Sequence, residues 1–279
     1  MKSWIKLTRP VNMLIALLSV WLSAWLNLSL WNAHIVWSGI ALALLVAAGN
    51  IHNDIIDLNI DKINRPDRPL PAQRISTQQA YFFSAMLTIL ALGIGIFQDL
   101  QAANTHVWWT LIYGLIALIL WIYNTKLKAT VLWGNLVVAA LCGAALLIPQ
   151  NLNPQIWRWD IAWTLALFAF LINLCREIIK DLEDQEGDQQ VGIKTLPLAY
   201  GEKPAKILIR FLIIAIVFLL VFTTYLELWN WHFLLFAIPL CVLPLKSAWP
   251  LKNLKAAQNW IKLAMLGGIL SAVLSQGIL

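Results

Sequence analysis

Apolar residues run along this chain in blocks of roughly 17–22, parted by short polar stretches. A helix of that length spans the hydrocarbon core of a bilayer, and its backbone groups are satisfied within the segment. The pattern predicts nine helices, roughly over residues 10–29, 34–53, 78–97, 106–124, 130–149, 160–180, 206–226, 231–247 and 258–277. The expected fold is all-α and polytopic, with residues 1–279 forming one membrane domain. The two longest polar intervals, 54–77 and 181–205, are read as loops on one side of the membrane.

Composition agrees with the pattern. The chain is 60% hydrophobic and 12% charged, where a soluble domain carries about 25% charged residues. The basic N-terminus runs into an apolar segment with no small-residue cleavage site, so it is read as the first membrane helix rather than a leader. Cys142, Cys175 and Cys241 have no metal-ligand spacing and are read as small buried apolar residues.

Charge placement gives the orientation. Nineteen of the 20 Lys and Arg residues fall at the ends assigned to one side; only Arg158 falls on the other. By the positive-inside rule that side, with the N-terminus, is cytoplasmic. The net charge of +6 is therefore an orientation signal, not a nucleic-acid footprint. Ten of the 16 tryptophans (25, 31, 37, 108, 109, 157, 159, 163, 229 and 231) fall at the opposite ends, as an interfacial belt would. Trp121 and Trp133, near the inner face, are candidates to line a cavity.

Acidic residues are sparse, and ten of the 14 lie in two clusters, Asp54 to Asp67 and Glu177 to Asp188. Asp54, Asp57 and Asp61 stand three and four residues apart, which places them on one helical face. Asp181, Asp184 and Asp188 repeat the spacing 127 residues further on. One such cluster could be a solvated helix end. Two in identical register, each at the inner end of an even-numbered helix, read as faces for hard divalent cations, which prefer oxygen ligands. The second and sixth helices point the same way, so the expected arrangement is two parallel four-helix halves around a central cavity, plus a ninth helix.

Carboxylate-bound Mg²⁺ beside basic residues suits a diphosphate. Arg65 and Arg68 lie in the proline-stiffened N-R-P-D-R-P, Lys126 and Lys128 end the fourth span, and Lys194 follows Gly192. Arg65, Arg68, Lys126 and Lys194 are the candidate diphosphate-binding residues, with Lys128 or Arg74 left for a second anion. Asn53, four residues before Asp57, is a candidate to orient the metal–diphosphate unit. His52 is read as a packing residue, and Glu183 and Glu186 as solvated.

At these residues the chain resembles the UbiA-type intramembrane prenyltransferases. Asn53-Asp54-x-x-Asp57-x-x-x-Asp61 looks like the family's first Asp-rich motif and Asp181-x-x-Asp184-x-x-x-Asp188 like its second. Y-N-T-K-L-K (123–128) resembles the lysine-bearing segment. N-R-P-D-R-P (64–69) and R-E-I-I-K-D-L-E-D-Q-E-G-D (176–188) look most like the branch that prenylates geranylgeranylglyceryl phosphate. Ile55, Ile56 and Pro71-Ala72-Gln73 depart from that branch.

The resemblance implies an enzyme that transfers a polyprenyl group from its diphosphate to a lipophilic acceptor, with Mg²⁺ as cofactor. Asn53, Asp54, Asp57, Asp61, Asp181, Asp184 and Asp188 would be the catalytic set, the six aspartates holding metal. The alternatives are prenylation of an aromatic acceptor and, from a different class, a cation transporter. Transporters place ionisable groups near the bilayer midplane, whereas these acids lie at the inner boundary.

Overall fold

The computed structural model describes residues 2–26, 33–101, 108–148 and 159–276. Those residues form helices and turns with no strand among them. In chain order the helices are α1 (Lys2–Thr8), α2 (Pro10–Leu26), α3 (Ala33–Ile56), α4 (Leu58–Asn64), α5 (Thr77–Gln101) and α6 (Trp108–Ile122). A π-turn (Tyr123–Leu127) comes next, then α7 (Trp133–Ala145), α8 (Trp159–Glu183), α9 (Gln185–Val191), α10 (Leu196–Tyr200) and α11 (Glu202–Tyr225). The chain ends with α12 (His232–Ala237), a second π-turn (Ile238–Val242), α13 (Leu243–Ala248) and α14 (Leu254–Gln276).

Each expected span overlaps a helix, but length and composition do not establish nine crossings. Six helices are long and apolar enough to cross a membrane, and α1 with α2, bent by 49°, would make a seventh. Trp133–Ala145 and His232–Ala248 are shorter apolar segments. The latter is broken where Pro239 and Pro244 each remove a helix N–H donor. The intervals read as loops contain helices: α4 lies in the first, α9 and α10 in the second.

The described residues divide into two compact units. The first comprises residues 1–21, 30–137 and 186–193; the second comprises 22–29, 138–185 and 194–279. In the first, α3 packs against α1, α5 and α6, and α5 against α6. Ala47, Ala48, Ile51 and Ile55 recur at helical spacing on α3 and meet Leu7 of α1 and Ala80 and Leu87 of α5. Small residues bring the helices close. A side chain at Gly95 would come within 2.9 Å of the Thr110 backbone, and Ser84 Oγ donates to the Ala48 carbonyl at 2.9 Å. In the second unit α8 packs on α11 and α14, and α12 and α13 pack on α14.

Tryptophan placement is mixed. Trp25, Trp37, Trp108, Trp163 and Trp231 are exposed as an outer belt requires, but Trp109 and Trp229 are buried. Trp109 stacks on His34 and Trp229 on Phe233. Trp31 and Trp157, together with Arg158, lie outside the described residues, as does the side chain of Trp159. Trp121 and Trp133, expected near a cavity, are exposed.

Candidate active site

The first aspartate motif starts in the last turn of α3 and continues through α4. The helix yields only at Asp57, which has φ −82° and ψ 5°. The i to i+4 column is nevertheless unbroken: Asp57 N–H donates to Asn53 C=O (2.9 Å), Asp61 to Asp57 (2.7 Å) and Arg65 to Asp61 (2.8 Å). Asn53, Asp57 and Asp61 therefore share one face, and Asp54, which the spacing also expects there, is linked to Asp61 through Arg68. That face is not solvated. Asp54, Asp57 and Asp61 are 3%, 5% and 3% exposed.

Buried carboxylates require partners, and three cations supply them. Arg68 Nη1 donates to Asp54 Oδ1 (3.1 Å) and Asp61 Oδ2 (2.5 Å). Arg9 Nη2 pairs with the same Asp54 oxygen, and Lys128 Nζ with Asp57 Oδ2. Asn53, also buried, lies between the last two. In the amide orientation that satisfies both neighbours it donates to Asp57 Oδ2 (3.1 Å) and accepts from Lys128 Nζ (3.0 Å).

Local structure explains which cations arrive. Arg9 occupies the break between α1 and α2 with φ 52°, and Pro10 begins α2 with its preset φ. The Asn50 side chain reaches the same break and donates to Thr8 C=O at 3.3 Å. Lys128 stands just after the π-turn, whose closing bond runs from Lys128 N–H to Tyr123 C=O at 2.9 Å. The extra residue in that turn shifts the helical phase of the residues beyond it. It brings Lys128 to Asp57, while Lys126 remains exposed. Asn124, buried in the same turn, anchors it to α3 by donating to Gly49 C=O at 3.3 Å. Arg65 is half-buried.

The second motif has a different setting. Asp181, at the end of α8, and Asp184, just past it, are half-buried in the second unit. Asp188 lies on α9, is 6% exposed and belongs to the first unit. Gly187, beside Asp188, donates its N–H to Asn64 Oδ1 at 3.1 Å. Glu177 is buried and paired with Arg176 (2.6 Å) and Lys180 (3.7 Å). Glu183 is half-buried, not solvated, and accepts from Gln258 Nε2 at 2.5 Å. Lys194 is exposed, as is Glu186. His52 is half-buried beside Asn124 and Tyr81, as a packing histidine would be.

The donors suit a hard divalent cation. Among the described residues no three acids converge into a ready-made cage, because the carboxylates of the first motif are drawn to Arg9, Arg68 and Lys128. One acceptor is left over: Asp57 Oδ1 is buried and has no hydrogen-bond partner. An orphaned carboxylate oxygen is costly unless something binds it. Asp61 is also placed unfavourably for a charge. Burial pushes its carboxyl above the usual range, Arg68 pulls it back, and Asp54 and Asp57 add to the rise. A bound cation would relieve both, and an all-oxygen set fits Mg²⁺ rather than a softer metal.

A helical membrane fold with paired aspartate motifs defines an intramembrane prenyl-transfer scaffold. Residues 12–270 match the model of the UbiA prenyltransferase family, and the chain belongs to that family. A digeranylgeranylglyceryl phosphate synthase of Methanopyrus kandleri is 34% identical, with 99% of each chain covered. One of Thermococcus kodakarensis is 38% identical over 73% of this chain and 71% of its own. Among solved structures, one described as digeranylgeranylglyceryl phosphate synthase in membranes superposes with a TM-score of 0.71 at 28% identity, covering 100% of this chain and 99% of that one. A UbiA homologue of Archaeoglobus fulgidus bound to GPP and Mg²⁺ shares the fold, with a TM-score of 0.61 at 16% identity and coverage of 97% and 99%.

Proposed function

We propose that this enzyme transfers a geranylgeranyl group from its diphosphate to the free hydroxyl of geranylgeranylglyceryl phosphate, making an ether lipid precursor. The observation that carries the chemistry is the buried set of three carboxylates matched by three cations, with Asp57 Oδ1 left unpartnered. The acceptor rests on full-length similarity to relatives named for that product.

Asp54, Asp57 and Asp61 would hold Mg²⁺ in one motif, and Asp181, Asp184 and Asp188 in the other. Mg²⁺, when bound, screens the diphosphate and makes it a better leaving group. The remaining work belongs to the chain. Arg9, Arg68 and Lys128 neutralise the carboxylates in the metal-free protein; once those are engaged, the cations are available to the diphosphate. Arg65, Lys126 and Lys194 add positive charge around it. Asn53, bonded to Asp57 and Lys128 together, keeps carboxylate and ammonium in register. The bond from C1 to the diphosphate oxygen breaks with its electron pair leaving on diphosphate. The acceptor oxygen bonds to C1, and its proton is released. An apolar surround keeps water from the allylic centre.

Charge distribution supports an orientation with the N-terminus and both motifs at the cytoplasmic face, 19 of the 20 basic residues falling on that side. One family match running through both compact units supports a single domain.

The test is product identification by mass spectrometry. Purified protein receives Mg²⁺ and geranylgeranyl diphosphate, with geranylgeranylglyceryl phosphate or 4-hydroxybenzoate in parallel. Mg²⁺-dependent digeranylgeranylglyceryl phosphate is the expected product. Product with the aromatic acceptor alone would overturn the lipid assignment.

A further inference from the structure

Within the first unit, the segment that carries Asp188 is tied to the end of α4 by a contact outside both motifs. Asn64 ends α4, three residues after Asp61, and its Oδ1 accepts the Gly187 N–H at 3.1 Å. Gly187 lies in the first turn of α9, where backbone N–H groups have no partner within the helix. Asn64 therefore caps α9 from elsewhere in the chain, as a local Asn or Asp would cap its own helix.

A side chain at position 187 would displace Asn64. A Cβ on Gly187 would meet Asn64 Nδ2 at 2.5 Å, its Cγ at 2.8 Å and its Oδ1 at 2.9 Å. All three belong to a side chain engaged with this very backbone. Gly187 is buried, and the adjacent Asp188 is 6% exposed. The far side of Asp188 is also tied, since its carbonyl accepts the Ile193 N–H at 3.0 Å and closes the end of α9. Asp188 is thus the one acid of the second motif held in the unit that carries Asp54, Asp57 and Asp61.

We propose that Asn64 is a positioning residue: the Asn64–Gly187 clip fixes Asp188 against the first motif's unit and so sets the Mg²⁺ affinity of the enzyme. This deepens the prenyltransferase reading and rests on it for the identity of the metal. Asn64 touches neither substrate nor metal in this role. It acts through the α9 backbone.

The test uses the full-length protein in nanodiscs and three variants. Asn64→Leu removes the acceptor at similar size, Gly187→Ala attacks the same bond from the other side, and Asn64→Asp keeps an oxygen in place. Hydrogen exchange of residues 185–193, without metal or substrate, reports the clip itself. Titration calorimetry with Mg²⁺ alone reports affinity, and turnover against Mg²⁺ separates affinity from chemistry.

Asn64→Leu and Gly187→Ala should each speed exchange in 185–193 and weaken Mg²⁺ binding about tenfold, as loss of a supporting contact to a metal ligand does. Turnover at saturating Mg²⁺ should stay within about twofold of wild type. The double variant Asn64→Leu/Gly187→Ala should be no worse than the poorer single variant, because both break one bond. Asn64→Asp should restore protection and affinity. Faster exchange with unchanged Mg²⁺ affinity would overturn the proposal, as would additive losses in the double variant. A wild-type protein that binds Mg²⁺ but turns over no prenyl diphosphate would instead sink the functional reading, and the clip would still be judged by exchange and calorimetry.

Discussion

The two aspartate motifs have the same spacing and opposite constructions. The first rides on an almost continuous helix: the column Asn53–Asp57–Asp61–Arg65 keeps its backbone bonds through the slight break at Asp57. Its three acids are buried and each is ion-paired. The second is cut by the boundary between α8 and α9. Asp181 and Asp184 stay half-buried in one unit, while Asp188 is buried in the other. A repeated spacing therefore gives a repeated donor set but not a repeated environment. The first motif is organised by side-chain cations and the second by how the chain is tied down on either side of Asp188.

This contrast predicts unequal responses to mutation. Asp57→Asn should have the largest effect on activity. It removes a charge whose one oxygen holds Lys128 while the other is unpartnered. Loss of a charge-stabilising group of this kind lowers kcat by about a hundred- to a thousandfold, measured by product formation at saturating Mg²⁺. Arg68→Leu should hit stability hardest, because it strands the buried Asp61 and leaves the buried Asp54 with Arg9 alone. Breaking a buried pair costs about 3–5 kcal/mol, and the loss would be read as a fall in thermal midpoint in detergent. The same truncation in the second motif's unit, Arg176→Leu, strands only Glu177, which keeps Lys180 within 3.7 Å, and should cost less.

The two lysines after the fourth apolar block sharpen the comparison. Lys128→Ala should lower kcat/KM for the prenyl diphosphate about tenfold or more, the effect of losing a buried charge partner. Lys126→Ala, which removes an exposed side chain, should change it less than about twofold. Smallest of all, Glu183→Gln should leave turnover near wild type, since Gln258 can donate equally well to an amide oxygen.

The aspartates themselves were legible in the sequence because a 3.6-residue period fixes which positions share a face, and a marginal break at Asp57 does not disturb it. Their partners were less so. Arg9 sits 45 residues before Asp54 and looks like any positive-inside anchor; only its place before a proline, at the start of a long apolar helix, hinted at a fixed bend. Lys128 and Lys126 are indistinguishable in K-L-K until the π-turn adds a residue and reorders them. Glu183 read as surface charge because helical phase alone does not reveal Gln258 beside it. The polar intervals read as loops because they are rich in charge, yet α4, α9 and α10 form there on tertiary contacts. Trp109 and Trp229 read as belt residues by position, but nearby His34 and Phe233 gave them ring partners in the interior.

Binding of geranylgeranyl diphosphate to the purified protein, with and without Mg²⁺, tests the central claim most directly when wild type is set beside Asp57→Asn. The account predicts tight binding that requires Mg²⁺ in wild type and is markedly weakened in the variant, which still unfolds in one cooperative thermal transition. Equal binding without Mg²⁺, or binding retained in Asp57→Asn, would contradict it.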